Sequence, residues 1–197
     1  MAFLDDAPRQ HFETVDEWRQ WLEVNHASSS GVFVVFWKKA TGRPAMSYDE
    51  MVEQALCFGW VDSRPAKLDD ERSMLWFTPR KRGSAWAGPN KERIERLTAA
   101  GLMRPAGIAA VDAARADGTW TVLDSVERLE VPDDLAARLD EVESARAQWD
   151  GFPRSVRRGI LEWIVQAKTP ETRERRIQET ADMAGRGERA NQWRPKT

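Results

Sequence analysis

The amino-acid sequence predicts an α+β protein with a small, mostly antiparallel sheet and packed helices, followed by a C-terminal helical lobe. In the first part of the chain, short β-branched and aromatic runs alternate with segments of helical periodicity. After a connector at residues 124–132, only helical periodicity remains. This change predicts an α+β domain over residues 12–123 and a helical region over residues 131–185.

The first helix and the first long strand are the clearest local predictions. Thr14 and Glu17 have the spacing of a capping box, so a helix is expected from about Val15 to Asn25. A serine-rich stretch then interrupts the helical pattern. The run from Val32 to Trp37 is apolar without alternation, which indicates a strand covered on both faces.

A second helix is predicted to lead into a β-hairpin. Ser47 and Glu50 have the spacing of another capping box at the start of this helix. The stretches from Val61 to Lys67 and from Ser73 to Thr78 are extended in character and are joined by a polar turn. Because proline has no backbone N–H to donate, Pro65 should confine its strand to an edge of the sheet.

Apolar stripes at helical intervals predict the remaining helices, two after the hairpin and three in the C-terminal lobe. The stripes are Ile94 and Leu97; Ile108 and Val111; Leu135, Leu139 and Val142; Val156, Ile160, Trp163, Ile164 and Ala167; and Ile177, Ala181 and Ala184. Short helices of this kind are stable only when their apolar faces are buried, either against one another or against the first domain.

Charge and composition exclude several classes of protein. Thirty basic and thirty-two acidic residues give a formal charge of −2, which disfavours nucleic-acid binding because a broad positive surface is missing. No apolar run approaches the ~18 residues of a membrane span, so membrane insertion is not expected. The residues up to His11 lack the pattern of a secretory signal, and Cys57 is the only cysteine, so the cytoplasm is favoured. His11 and His26 have no spacing partners, and neither a metal nor a cofactor is expected.

The stretch from Ala55 to Asn90 is the candidate functional segment, because it concentrates three tryptophans among acidic and basic side chains. Aromatic faces supply apolar contact while guanidinium and carboxylate groups orient a ligand, so together they favour a recognition site. The candidate ligand-binding residues are Trp60, Asp62, Arg64, Lys67, Arg80, Ser84, Trp86 and Asn90. The alternative is that the tryptophan rings belong to the core and the charges form a solvated rim or internal ion pairs. No catalytic residue is assigned.

The basic loop from Arg80 to Ser84 adds a candidate anion contact. It precedes Gly88 and a helix that is expected to open at Asn90. Free backbone amides at the start of a helix attract negative charge, so this order is typical of an anion site. The loop lacks the Gly-Lys-Ser/Thr spacing of a nucleotide-binding loop, and a solvated basic loop is the alternative.

Two separated motifs carry a family resemblance. The first is Ala55–Asp62 with Phe77–Arg80, Ser84–Trp86 and Asn90–Lys91, and the second is Ala167–Arg173 with Arg176 and Ile177. Both are similar to motifs of the YdeI/OmpD-associated family, also called bacteriocin-protection proteins. The resemblance extends from about Phe12 to Ala184. It implies a cytoplasmic bacterial protein linked to envelope stress or to tolerance of antimicrobial peptides, with no catalytic residues to carry over.

One local departure from that family is visible. Ser63-Arg64-Pro65 stands where the family pattern has a glycine and a less constrained turn. The sequence therefore favours a noncatalytic stress-protection protein that binds a small anionic or aromatic ligand, or a partner segment, at the surface from Trp60 to Trp86. An enzyme that uses Asp62 and the arginines is one alternative.

The helical lobe supports a second alternative, an adaptor that docks a protein partner. This adaptor would need an exposed apolar patch at Val156, Ile160 and Trp163. Arg173 and Arg176 share a neighbouring helix face. A further hypothesis docks that face against the acidic surface of the first domain, near Asp62 or Asp69.

Overall fold

The structure is a computed structural model that describes residues 6–192. It divides into two compact units. The first unit extends to Ser84 and resumes from Pro89 to Trp120, while the second contains Ala85–Gly88 and the chain from Thr121 onward. The first unit holds a sheet with helices and the second is helical, which confirms the predicted α+β class.

Within residues 6–192, four strands form the sheet of the first unit. They are β1 (Arg9–His11), β2 (Val32–Trp37), β3 (Trp60–Lys67) and β4 (Arg72–Pro79), in the spatial order β1-β2-β4-β3. β1 is parallel to β2, and the other neighbours are antiparallel. The predicted hairpin is confirmed as β3 and β4, and β3 is an edge strand, as Pro65 requires. β1 has no counterpart in the prediction, because the sequence Arg-Gln-His carries no apolar alternation.

Four α-helices accompany this sheet in the described part of the chain before Trp120. They are α1 (Val15–Asn25), α2 (Tyr48–Cys57), α3 (Gly88–Ala99) and α4 (Pro105–Ala116). Both predicted capping boxes are present, Thr14 with Glu17 and Ser47 with Glu50. Each box satisfies backbone N–H groups that would otherwise lack a partner, and so determines where its helix begins. Tyr48 is thereby placed at the first position of α2.

Side chains cover both faces of the sheet at β2. The ring of Trp18 lies 5.3 Å from the ring of Phe77, and its indole N–H donates to the Met51 carbonyl at 3.0 Å. These contacts place α1 and α2 on one face, the helix side. On the opposite face, the far side, the buried residues are Phe33, Val35, Met74 and Trp76. The unbroken apolar run of β2 is explained by this double coverage.

The described part of the second unit contains five α-helices. They are α5 (Asp124–Glu127), α6 (Asp133–Glu141), α7 (Ala145–Gly151), α8 (Arg154–Val165) and α9 (Pro170–Gly185). The three predicted stripes correspond to α6, α8 and α9, and their buried residues share one core with Trp149 of α7. α5 lies in the expected connector, and α7 was not predicted, because such short helices show no clear periodic pattern. None of the helices in residues 6–192 has the length and apolar character of a membrane span.

Candidate functional site

Trp60 and Trp86 lie inside the protein, where each is 1% exposed. The indole N–H of Trp60 donates to the His26 carbonyl at 3.1 Å, and its ring meets Trp21 edge-on at 5.7 Å between centroids. Trp86 belongs to the short segment Ala85–Gly88 that is part of the second unit. Neither indole presents a face to solvent on which a ligand could stack, so the alternative of core tryptophans describes both.

The alternation of β3 separates the predicted site residues. Successive side chains of a strand point to opposite faces, and residues paired across strands share a face. Asp62 pairs with Phe77, so it lies on the helix side, whereas Val61 pairs with Thr78 on the far side. Two hollows of the first unit, one on each face, therefore receive different side chains of the same strand.

The hollow on the helix side is an open groove of about 780 Å³, which we call the helix-side groove. Its apolar lining includes Phe36, Met51 and Leu75. Its polar lining includes two predicted residues, Asp62 and Lys67, together with Tyr48, Lys38 and Ser73. A mainly apolar groove with a few converging polar groups is the usual form of a small-molecule site.

Tyr48 and Asp62 form the polar end of this groove. The Tyr48 hydroxyl donates to Asp62 Oδ2 at 2.9 Å. Burial is the main factor that raises the pKa of Tyr48 to about 12, and the hydrogen bond to Asp62 adds to the shift. The phenol therefore stays protonated at physiological pH and remains a donor. Sequence reasoning did not select Tyr48, although it is the only tyrosine in the chain and directly follows a capping residue.

Arg80 and Asn90 do not line this groove, but each interacts with a charged side chain of the first unit. Burial lowers the pKa of Arg80 to about 10, and the charge of Asp62 opposes this shift, so the guanidinium remains cationic at physiological pH. The Asn90 side chain accepts a hydrogen bond from Arg93 at 3.1 Å, and Arg93 also donates to Asp49. Asn90 thereby orients Arg93 toward the start of α2.

Lys67 and Arg64 lie on the exposed part of β3. Lys67 Nζ pairs with the carboxylate of Asp70 at 2.6 Å, and both side chains are largely exposed, at 65% and 95%. Arg64 falls where the pairing of β3 with β4 shifts register between Asp62 and Pro65. The departure from the family pattern therefore coincides with an irregular stretch of edge strand.

Ser84 lies away from the helix-side groove and lines a hollow of about 880 Å³ on the far side, which we call the far-face hollow. Val61, Ser63 and Thr78 reach it from the strands, and Lys81 reaches it from the basic loop. The structure thus brings Asp62 and Lys67 into the lining of the helix-side groove, whereas Ser84 lines the hollow on the opposite face.

The start of α3 already has an anionic partner within the protein. The backbone N–H of Gly88 donates to Glu127 Oε1 at 3.4 Å. Arg158 holds the same carboxylate at 2.7 Å, and this hydrogen bond is the main factor that lowers the pKa of Glu127. One backbone N–H at this helix start is therefore already bonded to a carboxylate of the protein, that of Glu127.

Comparison with known proteins gives two family matches. Residues 10–110, just over half of the chain, match the family described as "Domain of unknown function (DUF8412)". The chain belongs to the DUF8412 family. Residues 128–187 match the family described as "Bacteriocin-protection, YdeI or OmpD-Associated", which confirms the predicted resemblance for the part of the chain that holds the second motif. No curated protein and no solved structure gives a match.

In this member of the DUF8412 family, the two arginines of the second sequence motif, Arg173 and Arg176, form hydrogen bonds within the second unit. The Arg173 guanidinium grips the Asp134 carboxylate with two hydrogen bonds of 2.7 and 2.9 Å. Arg176 donates to the Trp163 carbonyl and lies over the Trp163 ring at 5.0 Å. These contacts join the two arginines to α6 and α8 of their own unit, and the docking of their helix face near Asp62 or Asp69 stays a prediction.

The apolar residues of α8 also serve the second unit. Val156 and Ile160 are buried in its core. Trp163 packs against that core, and the Arg176 guanidinium lies over the Trp163 ring. These three residues therefore do not form the exposed apolar patch that the adaptor alternative requires.

Proposed function

We propose that this protein is a cytoplasmic, noncatalytic stress-protection protein that binds a small aromatic anion in the helix-side groove. The observation that carries the proposal is the Tyr48–Asp62 hydrogen bond at the edge of an apolar groove that also reaches Lys67. The protection role rests on the match of residues 128–187 to the bacteriocin-protection family. The ligand class rests on the lining of the groove.

The aromatic part of the ligand is supported by the apolar lining. Phe36, Met51 and Leu75 offer a surface on which a flat ring would be removed from water. Burying about 100 Å² of apolar surface contributes roughly 2.5 kcal/mol, which suffices for weak, selective binding when polar groups fix the orientation. The Tyr48 hydroxyl oxygen and the Asp62 carboxylate provide that orientation, since each can accept a hydrogen bond from the ligand while the Tyr48 O–H stays bonded to Asp62.

The anionic part of the ligand is supported by the lysines. An exposed ion pair such as Lys67–Asp70 is worth only about 0–1 kcal/mol, so Lys67 can exchange Asp70 for a ligand anion at little cost. Lys38 adds positive charge at the same groove, where its ammonium group donates to the carbonyls of Asp69 and Asp70 at 2.7 and 2.9 Å. A carboxylate or sulfonate on the aromatic ring would meet these charges.

The proposal is tested with anilinonaphthalene sulfonate, a fluorescent aromatic anion. We expect saturable fluorescence enhancement with the folded protein. Tyr48→Phe and Lys67→Gln should each weaken binding by about threefold to tenfold, as expected for the loss of one hydrogen bond or one exposed charge. Lys168→Gln, which changes an exposed lysine of the second unit, is the matched control and should bind as the unchanged protein does.

Circular dichroism should show that all these variants remain folded. If all three variants bind the dye with equal affinity, namely Tyr48→Phe, Lys67→Gln and Lys168→Gln, the helix-side groove is not the binding site. Benzoate should displace the dye in competition, and failure to do so would contradict the assigned ligand class.

A further inference from the structure

We infer a second binding site in the far-face hollow, for a small phosphorylated polyol such as a sugar phosphate. The hollow has a volume of about 880 Å³ and is lined by residues of the first unit. It lies on the opposite face of the sheet from the helix-side groove. The inference therefore stands independently of the function proposed for that groove.

Unused hydrogen-bond donors are the first observation. Four hydroxyl side chains line the hollow, those of Ser30, Ser63, Thr78 and Ser84. Within residues 6–192, none of these hydroxyls makes a side-chain hydrogen bond, and the Lys81 ammonium group makes no ion pair. A hollow that gathers four hydroxyl groups and one cation without using them internally is suited to a ligand rich in acceptor oxygens.

The local backbone explains why these groups converge. The N–H of Ser84 donates to the Lys81 carbonyl at 3.2 Å and closes a turn. Gly83 makes the turn with a positive φ of 76°, a conformation that costs other residues more. The turn brings Lys81 and Ser84 to the same hollow, and the alternation of β3 brings Ser63 there from the other side.

The chemistry of these groups selects a phosphate. A phosphate group carries three strong acceptor oxygens and nearly two negative charges, so it can accept from Lys81 and from several hydroxyls together. A carboxylate has only two oxygens for the same set of donors. The remaining lining favours a polyol body, because the Asp6 carboxylate can accept from ligand hydroxyls and the side chains of Val61 and Trp76 can contact the carbon skeleton.

The test is a titration of the isotope-labelled protein with ribose phosphate, followed by amide chemical shifts. Saturable shifts should appear at Ser63, Thr78, Lys81 and Ser84. Inorganic phosphate should produce weaker shifts at the same residues, and ribose alone should produce none. Lys81→Gln should weaken ribose phosphate binding by about tenfold, and Ser84→Ala by about threefold.

Two control variants make the result specific. Lys39→Gln changes an exposed lysine of the same unit that does not line the hollow, and it should leave binding unchanged. Tyr48→Phe alters the helix-side groove and should also leave it unchanged. Equal shifts with ribose and ribose phosphate, shifts located elsewhere, or full binding by Lys81→Gln would each overturn the inference.

Discussion

Tyr48 illustrates how a single residue sets the chemistry of the helix-side groove. It is 51% exposed, yet its hydroxyl is held by Asp62 at 2.9 Å. The capping box of Ser47 and Glu50 determines its position at the first turn of α2. Partial burial and the neighbouring carboxylate both favour the neutral phenol. The Tyr48 hydroxyl therefore keeps its proton, and with it the hydrogen bond to Asp62, at physiological pH.

The raised pKa of Tyr48 can be measured directly. Because Tyr48 is the only tyrosine, tyrosinate absorbance reports on it alone. We expect a midpoint of about 12 for the native protein and about 10.0 for the unfolded chain. The raised value stabilises the folded state below the ordinary pKa, and this contribution is lost as the pH rises through the folded value. Equal midpoints for the two states would contradict the environment assigned to Tyr48.

A substitution separates the two causes of this shift. Asp62→Asn removes the charge that adds to the effect of burial, so the native midpoint should move down but stay above that of the unfolded chain. An unchanged midpoint in a folded Asp62→Asn variant would show that the carboxylate does not act on Tyr48.

Among the helices, α9 is joined to both α6 and α8 by hydrogen bonds from its arginine side chains. Arg173 and Arg176 lie three residues apart, which places them on adjoining parts of one helix surface. Arg173 reaches α6 through Asp134, and Arg176 reaches the end of α8 through the Trp163 carbonyl. That carbonyl lacks its ordinary helical donor, because the N–H of Ala167 donates to Ile164 instead. Arg176 of the second sequence motif thus completes the end of α8.

This role predicts a difference between two arginines of the same helix. Arg176→Ala should lower the free energy of unfolding by about 1–2 kcal/mol, since it removes a cap and a cation–π contact. Arg175→Ala changes an exposed neighbour and should stay within about 0.5 kcal/mol of the unchanged protein. Chemical denaturation of both variants gives the comparison, and equal stabilities would contradict the capping role of Arg176.

Gly107 lies at a close contact between two helices of the first unit. A side chain at Gly107 of α4 would collide with the backbone carbonyl of Cys57 at the end of α2. Gly107→Ala should therefore destabilise the protein by about 1–3 kcal/mol. Gly159→Ala is the matched control, because Gly159 is also helical and has open space around its α-carbon. It should be neutral or stabilising by up to about 1 kcal/mol in thermal unfolding. The opposite order of stabilities would show that the close approach at Gly107 is not required.

Over the whole molecule, predictions based on local pattern agreed best with the structure. Both capping boxes, the hairpin and the three C-terminal stripes are confirmed, because each signal lies within a few residues of its consequence. The burial of Trp60 and Trp86 could not be predicted in this way, since a tryptophan serves equally well in a core and at a binding surface. The opposite placement of Asp62 and Ser84 depends on the register of β3 with β4 and on the turn at Gly83.

The amino-acid sequence by itself determined the class of fold, the main helices and strands and the family resemblance, because periodicity, caps and motifs are properties of short segments. Only the tertiary structure decided which side chains between Ala55 and Asn90 reach a hollow and which are enclosed. The physical reason is that strand alternation and pairing distribute neighbouring residues to opposite faces of a sheet. Tyr48 reaches the groove from the start of α2, seven residues before that segment, and its hydrogen bond to Asp62 spans fourteen positions of the chain.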